Sequence, residues 1–341
     1  MESNIERLHT DAPRKKKALT INSKLLLSLY VVVPALLVIA LTDYWFFDAA
    51  LREKFIPAVP SQWAYWTVLF NLPHIIASWV TFADKEYLRH YRREFSFYLP
   101  ITVLLVFVVH QLVGGSLAFI ILGFYTMYHV LSQQFGISLF LMDVKPTADY
   151  EWWRWLSSVG AMAIYAIVFN IDTIRQTEFA GLTYSEWCLL FAGVCLGLSL
   201  VFSERIRRRA KYKCGVVYMQ ANVIMLFACF VVAKLEYFAF VIMMPRIVHD
   251  ITAFVVYATH DQNRNRNVTV NYIYKALSFT KLPFFMLSPL IAISIAYPLT
   301  NSSYNKGIEL IIFSLTYFHY FFEGFIWKGQ AIHRQYAPIA R

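Results

Sequence analysis

The sequence predicts an all-α fold, a polytopic bundle of transmembrane helices, and three observations carry that reading. The 341-residue chain is 58% hydrophobic and only 15% charged, where a soluble chain carries about a quarter charged residues. Apolar runs of about 20 residues recur along its length, each able to cross about 30 Å of hydrocarbon. The basic residues behind the net charge of +10 fall in the polar segments between those runs. That distribution speaks against a nucleic-acid partner and for a chain surrounded by membrane lipids.

Ten spans are expected in a single transmembrane domain, 25–328, between a basic tail, 1–24, and a short tail, 329–341. The first covers 25–47, with Pro34 as a kink point. The second covers 62–82 and holds Asn71-Leu72-Pro73-His74. A charged loop, 84–94, follows. Residues 97–142 are too long for one crossing, and Gly114-Gly115 divides them into spans at 97–113 and 116–142. Further spans are expected at 153–170, 184–202, 216–234, 237–257, 282–299 and 308–327, with a basic loop, 205–213, between the sixth and seventh. No short cleavable leader and no internal repeat are visible. The four cysteines, Cys188, Cys195, Cys214 and Cys229, lie in or beside apolar runs without metal-ligand spacing and read as small apolar fillers.

An even number of spans puts both termini on one side. Of 31 Lys and Arg, 25 then lie on the side of the termini, 5 lie opposite, and Arg246 lies inside a span. The positive-inside rule makes the richer side the cytoplasm and the protein a multi-pass component of a cytoplasmic membrane, expected to be a bacterial inner membrane.

The eighth span carries the residues around which the rest is arranged. From Pro245 to Asp261 it repeats a His-Asp pair after eleven residues, His249-Asp250 and His260-Asp261. That spacing returns to nearly the same helix face, roughly 16 Å further along. Arg246, one turn before Asp250, is placed to pair with it. Polar groups at this depth should face protein rather than lipid.

The topology also sets the depth of the other histidines. His74, His249 and His319 lie about eight residues, roughly 12 Å, inside the cytoplasmic end of their spans, and His129 is somewhat deeper. Four histidines on four helices can meet in one layer. His260 stands at the cytoplasmic mouth, His110 is too near the outer surface to join, and His9, His90 and His333 read as solvated. Glu323 follows His319 by four residues and Gln133 follows His129 by four, so each can share a helix face with its histidine. Imidazoles mixed with carboxylates suit iron, zinc, manganese or copper, and with open positions they are typical of non-haem iron. The expected metal ligands are His74, His129, His249, His319 and His260, with Asp250 and Glu323 as catalytic groups, ligands or acceptors for ring N–H groups.

This placement of His74, His129, His249 and His319 resembles the histidine-rich integral-membrane non-haem iron oxygenases. In arrangement it is most similar to the bacterial carotene-cleaving dioxygenases of the Brp/Blh type. The clustered histidine boxes of membrane desaturases are absent. The resemblance implies a metal-dependent membrane oxidoreductase acting on a fatty acyl, isoprenoid or carotenoid substrate, with an electron-donor partner where the chemistry needs one. Two other readings stay open: a proton-coupled transporter using intramembrane His, Asp and Glu, and a bis-histidine haem or quinone-linked electron carrier. Lone histidines can also serve only to hydrogen-bond neighbouring helices, and Asp250 with Arg246 can be a structural ion pair.

Overall fold

Long helices make up almost all of the structure, a computed structural model that describes residues 18–57, 72–113, 115–169, 171–302, 305–327 and 331–340. A short strand, β1 (Ile21–Asn22), leads through α1 (Ser23–Ser28) and a 3-10 turn at Leu29–Val31 into α2 (Val32–Phe46). The tightened turn is the local response to Pro34, which has no N–H to give the carbonyl of Tyr30. After α3 (Ala50–Phe55), α4 (Leu72–Thr81) holds the described part of the second span; residues 62–71 of that expectation lie outside the described residues.

Helix α5 (Lys85–His90) is capped by Asp84, whose carboxylate accepts from the Glu86 amide at 2.8 Å. A π-helical stretch at Glu94–Tyr98 then enters α6 (Leu99–Val113). α7 (Gly115–Met142) begins beyond Gly114, which lies outside the described residues. α8 (Ala148–Phe169), α9 (Ile171–Gln176) and a small hairpin of β2 (Glu178–Phe179) and β3 (Leu182–Thr183) lead to α10 (Tyr184–Arg207). The chain continues through α11 (Lys213–Lys234), α12 (Phe238–Asn265), α13 (Tyr272–Ala276), α14 (Phe284–Asn301) and α15 (Lys306–Ile326). It closes with a 3-10 turn at Ile332–Tyr336 and β4 (Ile339–Ala340).

Among the described residues, six stretches are long and apolar enough to cross a membrane: the α1–α2 rod, the stretch of α6, and α10, α11, α12 and α14. The most buried of them is α12, which packs against α2, α4, α7, α11 and α14. Its Pro245 leaves the Val241 carbonyl without a helical donor. The Cys229 thiol of α11 stands 3.7 Å from that carbonyl and supplies one, so this cysteine is a hydrogen-bonding filler. All four cysteines are free thiols.

Two expectations change. α12 runs eight residues beyond 257, to Asn265, so His260 and Asp261 are buried inside a helix rather than placed at an aqueous mouth. The extension holds because its polar last turns find partners. Arg264 pairs with Asp84 at 2.9 Å, while Asn263 donates to the carbonyls of Leu19 and Tyr336, both at 2.8 Å. The C-terminal segment is not a free tail: β4 pairs in parallel with β1, and His333 is fully buried rather than solvated. The basic loop is also tied to its neighbours, since Arg209 reaches Asp149 at 2.6 Å and Lys211 reaches Asp143 at 2.9 Å.

Candidate metal centre

Helices α4, α7, α12 and α15 bring His74, His129, His249 and His319 together. Their rings form a closed circuit: His74 to His249 at 5.1 Å between centroids, His249 to His129 at 5.2 Å, His129 to His319 at 5.3 Å and His319 to His74 at 5.1 Å. Neighbouring planes are inclined by 62 to 90°, so the rings meet edge to face. A metal at about 2.1 Å from an imidazole nitrogen sits about 3.2 Å from the ring centroid, which spaces neighbouring centroids about 4.6 Å apart in a square shell and about 5.3 Å in a tetrahedral one. The observed spacings fall inside that interval. All four side chains are buried, from 1% exposed for His74 and His249 to 8% for His129.

The two carboxylates lie against opposite corners of this circuit. Asp250 Oδ1 lies 3.2 Å from His74 Nδ1, and Glu323 Oε2 lies 3.2 Å from His129 Nε2. Glu323 is held from two further directions, accepting from Gln133 Nε2 at 3.1 Å and from the Tyr257 hydroxyl. Asp250 has the Arg246 guanidinium 4.0 Å away, so the expected pairing across one helical turn is present at long range. A carboxylate behind an imidazole fixes its ring and raises its basicity toward a metal on the other side.

At a third corner a serine does that work. Ser78 donates its only hydroxyl proton to the Ile75 carbonyl at 2.6 Å, so at 2.8 Å from His319 Nδ1 its oxygen must accept. His319 is therefore the Nδ1–H tautomer, with its lone pair on Nε2. That nitrogen has no hydrogen-bond partner among the described residues. At the fourth corner His249 has neither ring nitrogen hydrogen-bonded among the described residues, and neither Asp250 oxygen has an aligned donor. Each buried polar atom left in that condition costs about 1–3 kcal/mol. Several of them converging on one spot argue for a cation there, because satisfied structural histidines would not be arranged this way. His74, His249 and Asp250 form one set whose donor atoms all lie within 4.8 Å of one another, and His129, His319 and Glu323 form the other.

His260 does not join them. One helix turn adds about 5.4 Å, and eleven residues carry it out of reach along the same face. Its two nitrogens are taken by Asp261 at 3.0 Å and the Tyr87 hydroxyl at 2.8 Å, which corrects its expected role as a ligand of this centre. His110 stays apart as expected, with Nε2 3.4 Å from Glu309. Sequence reading missed Ser78, Tyr257 and Tyr320, the last stacked on His129 at 4.3 Å. Ser78 lies four residues after His74 and Tyr257 eight after His249, spacings that put each on its histidine's face. Compared with protein-family models, curated proteins and solved structures, the chain matches none.

Proposed function

We propose that this is a membrane-embedded, metal-dependent oxidoreductase, with a non-haem metal centre, iron foremost, held by His74, His129, His249 and His319. The closed circuit of four buried imidazoles carries the proposal, with both ring nitrogens of His249 and Nε2 of His319 lacking a hydrogen-bond partner among the described residues. A bound redox-active ion would supply dioxygen activation, the chemistry typical of histidine-rich iron sites with open positions. The chain's part is to orient the four rings and to exclude water. Asp250 lies against His74, Glu323, anchored by Gln133 and Tyr257, lies against His129, and Ser78 sets the His319 tautomer. Rings packed at 5.1 to 5.3 Å leave no slot for a porphyrin between them, which favours a bare ion over haem.

The substrate class follows from the surroundings: a site deep in an apolar bundle suits a lipophilic compound such as a fatty acyl chain, isoprenoid or carotenoid. This is the class that the likeness to the Brp/Blh-type dioxygenases implies. A soluble or membrane electron donor belongs to the proposal where turnover needs reducing equivalents. So do ten crossings with both ends in the cytoplasm of a bacterial cell, supported by the basic asymmetry and by the pairing of β1 with β4.

Metal analysis and an optical spectrum of detergent-purified protein, expressed with iron available, test the centre. About one equivalent of metal per chain is expected without a Soret band. His249→Ala should purify folded with most of the metal gone, and Glu323→Gln should keep part of it. A wild-type content below about a tenth of an equivalent would sink the oxidoreductase and leave Glu323 and the histidines as a proton relay.

A further inference from the structure

An apolar groove runs between α6, α7 and α15, and its Tyr125 stands one helical turn before His129 on α7. We propose that it is the lateral entrance through which the hydrocarbon chain of a membrane-dissolved substrate approaches His129. This deepens the reading above and rests on it. The groove encloses about 340 Å³ and is lined by Leu105, Val106, Val109, Tyr125, Phe313 and Tyr317, among others. That volume lies in the range of about 300–1,000 Å³ typical of small-molecule sites.

Three observations point it at the site. First, α6 belongs to the least buried of the six candidate spans, so the groove opens sideways to lipid. Second, its lining continues turn by turn into the site. On α7 Ile121 and Tyr125 are followed at the same spacing by His129, and on α15 Phe313 and Tyr317 are followed by Tyr320. Third, Tyr320 is the partition. Its ring stacks on His129 at 4.3 Å and meets Tyr125 edge-on at 5.4 Å, and its hydroxyl lies 2.8 Å from Thr126 Oγ1. One aromatic ring thus separates the groove from an imidazole of the circuit.

The lining selects a hydrocarbon chain rather than a head group. It holds no charged residue, and its threonine, Thr102, gives its hydroxyl proton to the Tyr98 carbonyl at 2.8 Å. Apolarity alone would not single this groove out. A second groove of about 440 Å³, lined by Leu37, Val223 and Phe227 among others, is more apolar still, but its residues belong to α2, α10 and α11, helices that carry none of the four histidines. The two grooves differ in where they lead, and that difference is measurable.

The probe is a long-chain alkyl diazirine without a charged group, photolysed with the metal-loaded full chain in lipid nanodiscs, with adducts mapped by mass spectrometry. Adducts at Val109, Tyr125 and Phe313 should exceed those at Leu37 and Phe227 on the order of tenfold and be displaced by unlabelled alkane. Val109→Trp and Leu105→Phe, which fill the groove away from the histidines, should each remove most of these adducts while metal per chain is unchanged. Tyr320→Ala should extend adducts to His129. Equal, non-displaceable labelling of both grooves in metal-loaded protein overturns the entrance and leaves the metal centre standing. Displaceable adducts in protein that binds no metal uphold the groove as a hydrocarbon site and overturn only the metal reading.

Discussion

His249 and His333 are both buried histidines, and their surroundings give them opposite parts to play. His249 has two ring nitrogens without hydrogen-bond partners among the described residues and three other imidazoles converging on the same place. His333 lies outside the spans, stacked on Tyr87 at 4.0 Å and on His260 at 5.1 Å, with Nδ1 3.2 Å from the Tyr91 hydroxyl. Burial, with His260, His90 and Arg264 nearby, pushes its pKa down to about 2. In the unfolded chain it titrates near 6.5. Between those values only the unfolded chain takes the proton. The stability from burying the neutral ring is therefore complete above about pH 6.5 and is lost as pH falls below it, by about 2 kcal/mol at pH 5. Thermal unfolding in detergent should show the melting temperature falling from pH 7 to pH 5, with a shallower fall in His333→Phe; an equal fall in both would remove His333 as the cause. The polar tail suggested a solvated ring, because nothing local to 329–341 reveals that β4 returns to pair with β1.

Among the described glycines, Gly215 at the start of α11 has the closest neighbours from another element. A Cβ built on Gly215 would stand 2.3 Å from the Met142 amide nitrogen and 2.5 Å from the Leu141 carbonyl carbon, both backbone atoms that cannot swing away. The Lys211 amide donates to the Met142 carbonyl at 2.9 Å beside it, so the end of α7 and the start of α11 are joined there. An alanine normally gains about 1 kcal/mol over glycine inside a helix. Here overpacking, typically about 1–3 kcal/mol, should outweigh that gain and lower the melting temperature. Gly197→Ala in α10, where nothing lies within 4 Å of the added carbon, is the matched control and should be neutral or stabilising. Because α7 carries His129, Gly215→Ala should also loosen metal retention more than the control does.

For the whole molecule, the pairing of β1 with β4 is the observation that organises the topology. Ile21 lies opposite Ile339 and Asn22 opposite Ala340, so the two ends of the described chain sit on one side of the bundle. An even number of crossings follows if the bundle spans a membrane, in agreement with the distribution of basic residues. In a background without native cysteines, Ala18→Cys and Ala340→Cys should resist impermeant thiol reagents in intact cells, while Ser302→Cys should react. Labelling at either end would reverse the orientation and the assignment of the histidine layer to the cytoplasmic half.

Composition and hydrophobic run length determined the helical bundle from the sequence alone, because covering the backbone in hydrocarbon demands helices of about that length. Depth along each helix was legible for the same reason: counting residues from a span end measures distance. His74, His129, His249 and His319 could therefore be assigned to one layer before any packing was known. Rotation about each helix axis and the order of helices around the bundle cannot be counted in this way. They decided that Asp250 lies against His74 from another helix, that Glu323 lies against His129 from another helix, and that Ser78 turns the His319 ring. They also decided the fate of His260. It shares the face of His249, but the rise of the helix carries it into a different neighbourhood, where Tyr87 and Asp261 occupy both its nitrogens.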